Sequence, residues 1–372
     1  MAGPVVITGG GTGGHVFPMQ AVAEALSARG LSAAELRYVG SRRGQEAVLL
    51  AKSDVSLTVL PGRGLRRSWQ SKDVLVNLGA VLGLVTATLM ALRLVRRWRP
   101  SVVVSVGGFA ALATSVAAVF WRTPLVLVEF DATPGAVHRL LERYAAKRCC
   151  AFPTSGNNVV VTGAPLREGI ESIDRSLHAR QEAKSNATPA FDREREVVVV
   201  MTGSLGSGRV NAAVQELAEA WSARHDRAIV HVTGRRDYLE YLALKPASEG
   251  LDYRVVAFAD MTQLWALADV AFCRAGAITV AEVTALSIPS ILVPLPGAPR
   301  DHQTRNAEAV AGVGGAVVLR DADCNGATLA IALDAMMEPS TLDAMAKAAG
   351  TLARRGAADA IAGVILDVRG DV

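Results

Sequence analysis

Short runs of apolar residues, each followed by a glycine-rich turn or an amphipathic stretch, recur along this chain. In the first half they fall at Val5 to Thr8, Glu35 to Val39, Val55 to Leu60, Val102 to Val106, Leu125 to Glu129 and Asn158 to Thr162. Runs this short and this rich in Val predict strands buried in a sheet. Between the first two, Pro18 to Arg29 sets Val22, Ala25 and Leu26 on one face at helical spacing, which predicts an amphipathic helix. Strands alternating with helices predict a parallel sheet with right-handed crossovers.

The pattern stops between Glu168 and Arg195, where charged and small polar residues replace apolar periodicity. The reading there is an interdomain linker or a surface excursion. The alternation then restarts: Val197 to Met201, Ala228 to Thr233, Arg254 to Phe258, Val270 to Cys273 and Ser290 to Pro294 read as strands, and about Ala327 to Leu366 as mostly helix. Two α/β domains follow, over 1–167 and 196–344, with the helical end from about 345 to 372 free to pack back on the first.

Val74 to Leu92 carries no formal charge over 19 residues, enough to span a bilayer. Yet Asn77, Thr86 and Thr88 interrupt it, and it stands where a crossover helix must join the third and fourth strands. A span would put consecutive strands of one sheet on opposite sides of a membrane, so the reading is a helix buried on the sheet or touching lipid. Arg63, Arg66, Arg67 and Lys72 precede it and Arg93, Arg96, Arg97 and Arg99 follow, with Trp69 and Trp98 among them. Such flanks suit anionic headgroups, and equally a solvated basic surface.

Composition narrows the classes. A length of 372 residues is ample for two cores, and 51% hydrophobic with 5% aromatic residues means cores built from Ala, Val and Leu. A net charge of +4 over this length is too small to imply a nucleic-acid binder. Cys149, Cys150, Cys273 and Cys324 have no zinc spacing, and the adjacent pair cannot form an ordinary structural disulfide, which fits a reducing compartment. The opening MAGPVVITGGG reads as a strand entering a turn, with no export signal visible.

The candidate chemistry sits in glycine turns. GGGTGGHVFP, Gly9 to Pro18, follows the first strand, so its backbone amides and the next helix's positive end can meet an oxygen-rich ligand. Gly9, Gly11 and Gly14 satisfy GxGxxG, but no acid closes the second strand; Gly40, Ser41, Arg42 and Arg43 stand there, which argues against NAD and leaves NADP open. His15, at the helix start, is either a cap or a neutral base, since the helix end disfavours imidazolium. TGSLGSGRVN, Thr202 to Asn211, repeats the device, and CRAGAITVAE, Cys273 to Glu282, adds a third turn into a helix. Glu282 is placed either to accept from a ribose diol or as a surface helix residue. PLPGAPRDHQTRNA, Pro294 to Ala307, is a loop rich in hydrogen-bonding groups.

GGTGGHVFP, SVGGF at 105 to 109, GAPLR at 163 to 167, GSLGS at 203 to 207, CRAGAITVAE and DHQTRNA, in this order over nearly the whole chain, resemble the MurG family of bacterial cell-wall N-acetylglucosaminyltransferases. The resemblance implies a GT-B fold, two Rossmann-like domains facing across a cleft, and an inverting transfer without catalytic metal or other cofactor. N-acetylglucosamine would pass from UDP-N-acetylglucosamine to the C4 hydroxyl of undecaprenyl-pyrophosphoryl-N-acetylmuramoyl-pentapeptide. It implies peripheral attachment to an anionic membrane surface, on the cytoplasmic face of the bacterial cell membrane, and no nucleic-acid partner. By the same resemblance Ser204 contacts the donor diphosphate; Ala277, Ile278 and Thr279 form the turn at the α-phosphate; Glu282 binds ribose; Phe258 reads uracil through its backbone; Gln303 recognises sugar hydroxyls; and Arg167 lies in the donor cleft. Thr12, Gly13, Gly14 and His15 match the acceptor-diphosphate loop, with His15 the candidate base and Asp131 the second.

Three runs depart from the family pattern. HEQN is replaced by Val128, Glu129, Phe130 and Asp131; GSQGA has become GSLGS, with Leu205 for glutamine; and Ala111 to Ala113 replace polar and proline positions. The alternatives are therefore a GT-B transferase with another acceptor, or an inactive nucleotide-sugar-binding regulator at the membrane.

Overall fold

The computed structural model describes residues 3–10, 13–42, 46–51, 53–62, 71–167, 169–203, 206–246 and 249–370. Two compact units emerge: Met1–Arg167 with Gly356–Val372, and Glu168–Arg355.

The first unit is built on a parallel sheet of β1 (Val5–Thr8), β2 (Leu36–Ser41), β3 (Ser56–Leu60), β4 (Val102–Ser105), β5 (Leu125–Glu129), β6 (Lys147–Cys150) and β7 (Val159–Val161), in the order β3-β2-β1-β4-β5-β6-β7. Val5 pairs with Leu36 on one side and Val102 on the other, so the strand order reverses between β1 and β4. At such a reversal the loops leaving the two strands diverge and open a crevice at their carboxyl ends. The strands β1, β4 and β5 are buried along their whole length, as their unbroken apolar runs require.

The second unit repeats the plan with β8 (Glu196–Met201), β9 (Arg227–Val232), β10 (Asp252–Val256), β11 (Val270–Arg274), β12 (Ser290–Val293) and β13 (Ala316–Val318), ordered β10-β9-β8-β11-β12-β13. Val198 pairs with Ile229 and with Val270, and the reversal lies between β8 and β11.

Two strands escape the sequence reading. β6 opens with Lys147 and Arg148, and β13 is only three residues long behind Gly314 and Gly315, so neither presents an apolar run of ordinary strand length. The segment 168–195 belongs to the second unit and is not a bare linker. It carries the helix Leu177–Asn186, buries Phe191 and Lys184, and ties Arg180 and Lys184 to Asp269 at 2.6 and 2.8 Å. Its charges are spent on partners remote in sequence, which periodicity does not register. The helix Pro339–Gly350 also stays with the second unit, and only the helix Ala357–Arg369 joins the first. That last helix buries Ala357, Ile361, Ala362 and Ile365, and Asp359 holds Arg29 through two bonds of 2.6 and 2.8 Å.

The long apolar helix is Ser71–Trp98. Its stretch Gly79–Trp98 has a mean hydropathy of 1.5 and is long and apolar enough to cross a membrane by length and composition. One stripe of it, Ala80, Ala87, Ala91 and Val95, is buried, and Ala87, Ala91 and Val95 share a core with Val6 of β1 and Val103 of β4. Small side chains let the helix lie close on its neighbours, and spanning would strip that stripe from the sheet. The outward face holds Val81, Leu82, Val85 and Leu89, each about half exposed or more. Arg63, Arg66, Arg67 and Trp69 lie outside the described residues.

Candidate functional site

In the first unit the candidate residues gather at the carboxyl ends of three adjacent strands. β1 runs into the glycine loop, whose residues 11 and 12 lie outside the description, and Gly13 and Gly14 open the helix Gly13–Ala28. His15 sits on that helix's first turn, half-buried, its ring edge-on to Phe130 with centroids 5.6 Å apart. From β4 the chain turns through Gly107 and Gly108, at φ +88° and +82°. A Cβ on Gly108 would lie 2.4 Å from the Gly10 carbonyl oxygen, so the two glycine turns pack backbone on backbone. From β5 it passes Phe130 to the half-buried Asp131. Arg167 stacks its guanidinium over Phe17 at 4.4 Å, on the same unit. Thr12 is not described.

Beneath these turns lies a buried polar chain that motif reading missed. Ser105 Oγ is 3.0 Å from His138 Nε2, His138 Nδ1 is 3.9 Å from Glu129, and Glu129 accepts from Arg148 Nε and Nη2 at 3.4 and 3.3 Å. Burial pushes the His138 pKa down to about 3, helped by repulsion from His15 and Arg148. A methyl on Gly107 would lie 3.6 Å from both imidazoles, so that glycine is wedged between His15 and His138. Glu129, kept from the family's run, is buried and engaged with Arg148 inside the fold. Glu46, also missed, is fully buried and accepts from the Ser41 amide at 3.0 Å; a Cβ on Gly10 would lie 1.6 Å from its Oε1.

In the second unit four segments end at one sheet edge. β8 leads through Gly203 and Gly206, at φ +92° and +81°, to the helix Gly208–Ala220. β11 leads through Gly276 to the helix Ala277–Ala285. Neither helix has a side-chain cap at its N-cap residue nor an acid in its first turn, so their first amides keep the capacity to meet an anion. Ala277 is buried, with Ile278 and Thr279 half-buried beside it. Phe258 lies beyond the end of β10, not on the strand as periodicity implied; its ring is 60% exposed, with Arg235 stacked at 5.4 Å. Beyond β12, Gln303 accepts from the Leu295 amide at 3.0 Å, which fixes its side chain against its loop. Arg300 and Asp301, just before it, both hold left-handed φ of 58° and 55°, a strained pair of non-glycines. Glu282 is 4% exposed, not a surface residue, and accepts from the Trp265 indole at 2.9 Å. Ser204 and Leu205 lie outside the described residues.

A second polar network supports the β8 turn. Asn211 donates through Nδ2 to the Thr233 carbonyl at 3.2 Å and to Asp237 at 2.9 Å. Its Oδ1 therefore accepts from His231 Nε2 at 2.9 Å, and His231 Nδ1 accepts from Tyr253 at 2.8 Å. This arrangement suits a neutral His231, in keeping with burial that lowers its pKa to about 3. Gly206 and Gly234 pack so closely that a Cβ on Gly234 would lie 2.4 Å from the Gly206 nitrogen. The only sequence sign was a histidine within the apolar run of β9.

The four cysteines are buried and unpaired with each other, and burial pushes Cys149, Cys150 and Cys273 up to about 12, which leaves no thiolate nucleophile there. No cluster of three or more His, Cys, Asp or Glu suited to a metal occurs among the described residues.

Comparison with known proteins gives one consistent match. Residues 5–149 fit the glycosyltransferase family 28 N-terminal domain and residues 197–362 its C-terminal domain. A Moorella thermoacetica protein named UDP-N-acetylglucosamine--N-acetylmuramyl-(pentapeptide) pyrophosphoryl-undecaprenol N-acetylglucosamine transferase is 36% identical over 97% of this chain and 98% of its own. A protein of the same name from Methylococcus capsulatus is 37% identical over the full length of both. The crystal structure of Acinetobacter baumannii MurG superposes with a TM-score of 0.77 at 27% identity, covering 98% of this chain and 99% of that one.

Proposed function

Since the chain belongs to glycosyltransferase family 28, among the pyrophosphoryl-undecaprenol N-acetylglucosamine transferases, we propose that it moves N-acetylglucosamine from UDP-N-acetylglucosamine to an undecaprenyl-pyrophosphoryl-N-acetylmuramoyl-pentapeptide in peptidoglycan synthesis. The observation that carries this reading is the convergence of Phe258, the β8 and β11 turns, and Gln303 on the carboxyl edge of one sheet, although they come from separate stretches of the chain.

In this mechanism the second unit holds the donor. The uracil lies by Phe258, the ribose diol donates to Glu282, and the diphosphate takes amides from the turns at Ser204 and at Ala277, Ile278 and Thr279. Those amides and the two helix ends stabilise the charge that develops on departing UDP, with no metal or other cofactor needed. Gln303 and Arg167 bind further groups of the donor. The first unit holds the lipid acceptor, its diphosphate at the loop of Thr12, Gly13 and Gly14. His15, or Asp131 in its place, takes the proton as the C4 hydroxyl attacks the anomeric carbon, displacing UDP with inversion. Incubation with radiolabelled UDP-N-acetylglucosamine and the lipid-linked muramoyl pentapeptide is expected to move label into the organic phase. Label left in the aqueous phase, with an acceptor panel also negative, rejects the transferase reading.

The same reading takes the protein to the cytoplasmic face of the bacterial membrane as a peripheral enzyme. Its support is the outward stripe of Val81, Leu82, Val85 and Leu89, with Phe120 65% and Trp121 40% exposed and Arg93, Arg96 and Arg97 exposed on the same helix. Trp121 donates to the Leu92 carbonyl at 3.0 Å while Arg96 stacks on its ring at 5.4 Å, so apolar and basic groups share one surface. Arg96→Ala is expected to weaken binding to anionic vesicles about fivefold, since a cation near such a surface is worth about 1 kcal/mol. Leu82→Glu with Leu89→Glu should weaken it more, on anionic and zwitterionic vesicles alike. Unchanged sedimentation of both variants removes this face from membrane contact.

A further inference from the structure

The Trp265 indole is fully buried in the short helix Met261–Leu267, and its N–H donates to Glu282 Oε2 at 2.9 Å across to the helix Ala277–Ala285. An indole nitrogen can only donate, so the direction of this bond is fixed. A carboxylate as buried as Glu282 needs such partners, and the bond sets how its plane is turned.

What holds the indole is equally specific. Arg175 donates to the Trp265 carbonyl at 2.6 Å, to Ala266 at 3.2 Å and to Ala268, thereby satisfying the last carbonyls of the helix that carries the indole. Burial pulls the Arg175 pKa down to about 10, a cost accepted for a guanidinium enclosed against backbone oxygens. One step on, Asp269 accepts from the Val197 amide at 2.8 Å, from Arg180 at 2.6 Å and from Lys184 at 2.8 Å. The charged segment 168–195 thus clamps the end of the helix just where Trp265 leaves it.

We infer that Trp265 is a positioning residue for donor recognition: its indole N–H turns the Glu282 carboxylate toward the ribose diol, and Arg175 steadies the indole from behind. The inference rests on the reading of Glu282 as the ribose acceptor. A residue that only fills space would, on replacement, weaken every ligand alike. A residue that orients the carboxylate weakens selectively those ligands that carry the ribose hydroxyls.

The experiment measures binding of UDP, 2′-deoxy-UDP and 3′-deoxy-UDP by calorimetry to the wild-type protein, Glu282→Gln and Trp265→Phe. Wild type is expected to prefer UDP over at least one deoxy analogue by about tenfold, as a hydrogen bond to a charged acceptor allows. Glu282→Gln should lose most of that preference, and Trp265→Phe should reduce it to about two- to threefold. Should the phenylalanine variant not fold, site-specific 3-benzothienylalanine at 265, an isostere whose sulfur has no hydrogen to donate, preserves the packing and should give the same reduction. If wild type shows no preference, the ribose reading of Glu282 fails. A preference present in wild type, lost in Glu282→Gln and retained in full by the Trp265 replacement, overturns the inference while leaving the ribose reading intact.

Discussion

His15→Ala is expected to lower turnover by about 10² to 10⁴-fold, the usual contribution of a positioned general base, with UDP binding left unchanged. The imidazole stands on the first turn of its helix, edge-on to Phe130, with Gly107 separating it from His138. That setting holds the ring in one orientation without burying it. Asp131, at the end of β5, is the competing base, and Asp131→Asn is expected to cost less than His15→Ala. Single-turnover assays with both substrates decide between them: the greater loss marks the base, and near-normal turnover in both variants sinks the assignment altogether. UDP affinity measured in parallel separates a lost base from a misfolded loop, because the donor residues, Arg167 apart, belong to the other unit.

Acid should unfold this protein earlier than its surface charges alone would dictate. His138 and His231 are both held near 3 against an ordinary 6.5, each mainly by burial. Between those values the unfolded chain binds protons that the folded chain refuses, so stability is full above about pH 6.5 and falls as pH drops. Each histidine contributes a slope of at most about 1.4 kcal/mol per pH unit in that window. Carboxylates held low by arginine, Asp226 at about 2 among them, act below pH 4 and do not blur the reading above it. Thermal melts from pH 4.5 to 6.5 should therefore steepen toward acid, and His231→Gln, which keeps a donor for Asn211 without gaining a charge, should flatten the slope. Equal slopes in wild type and variant would falsify the claim that His231 stays neutral.

The strands were legible because most are short, largely apolar runs that stop at a polar residue or a glycine. Val5–Thr8 and Leu125–Glu129 end where the sequence pattern ends. Where a strand begins with Lys147 and Arg148, the pattern is silent, since the guanidinium is neutralised by Glu129, 19 residues earlier. Phe258 shows the opposite error. An apolar residue extends the run on paper, yet the strand ends at Val256 and the ring stands in solvent beside Arg235. Of the candidate sites, the glycine turns could be found by motif because their chemistry is contiguous in the chain. The supports of those turns could not, because Glu46 with Gly10, His231 with Asn211 and Tyr253, and Trp265 with Glu282 become pairs only after the sheet has brought distant segments together.

The helix Ala357–Arg369 follows the second unit in the chain but covers the first. During synthesis, then, the half made first stays open on one side until the half made second has left the ribosome. Ile361 and Ile365, both fully buried, are what its sheet waits for. A ribosome that stalls before them would release one finished lobe tethered to one with a greasy flank, a ready substrate for chaperones and proteases.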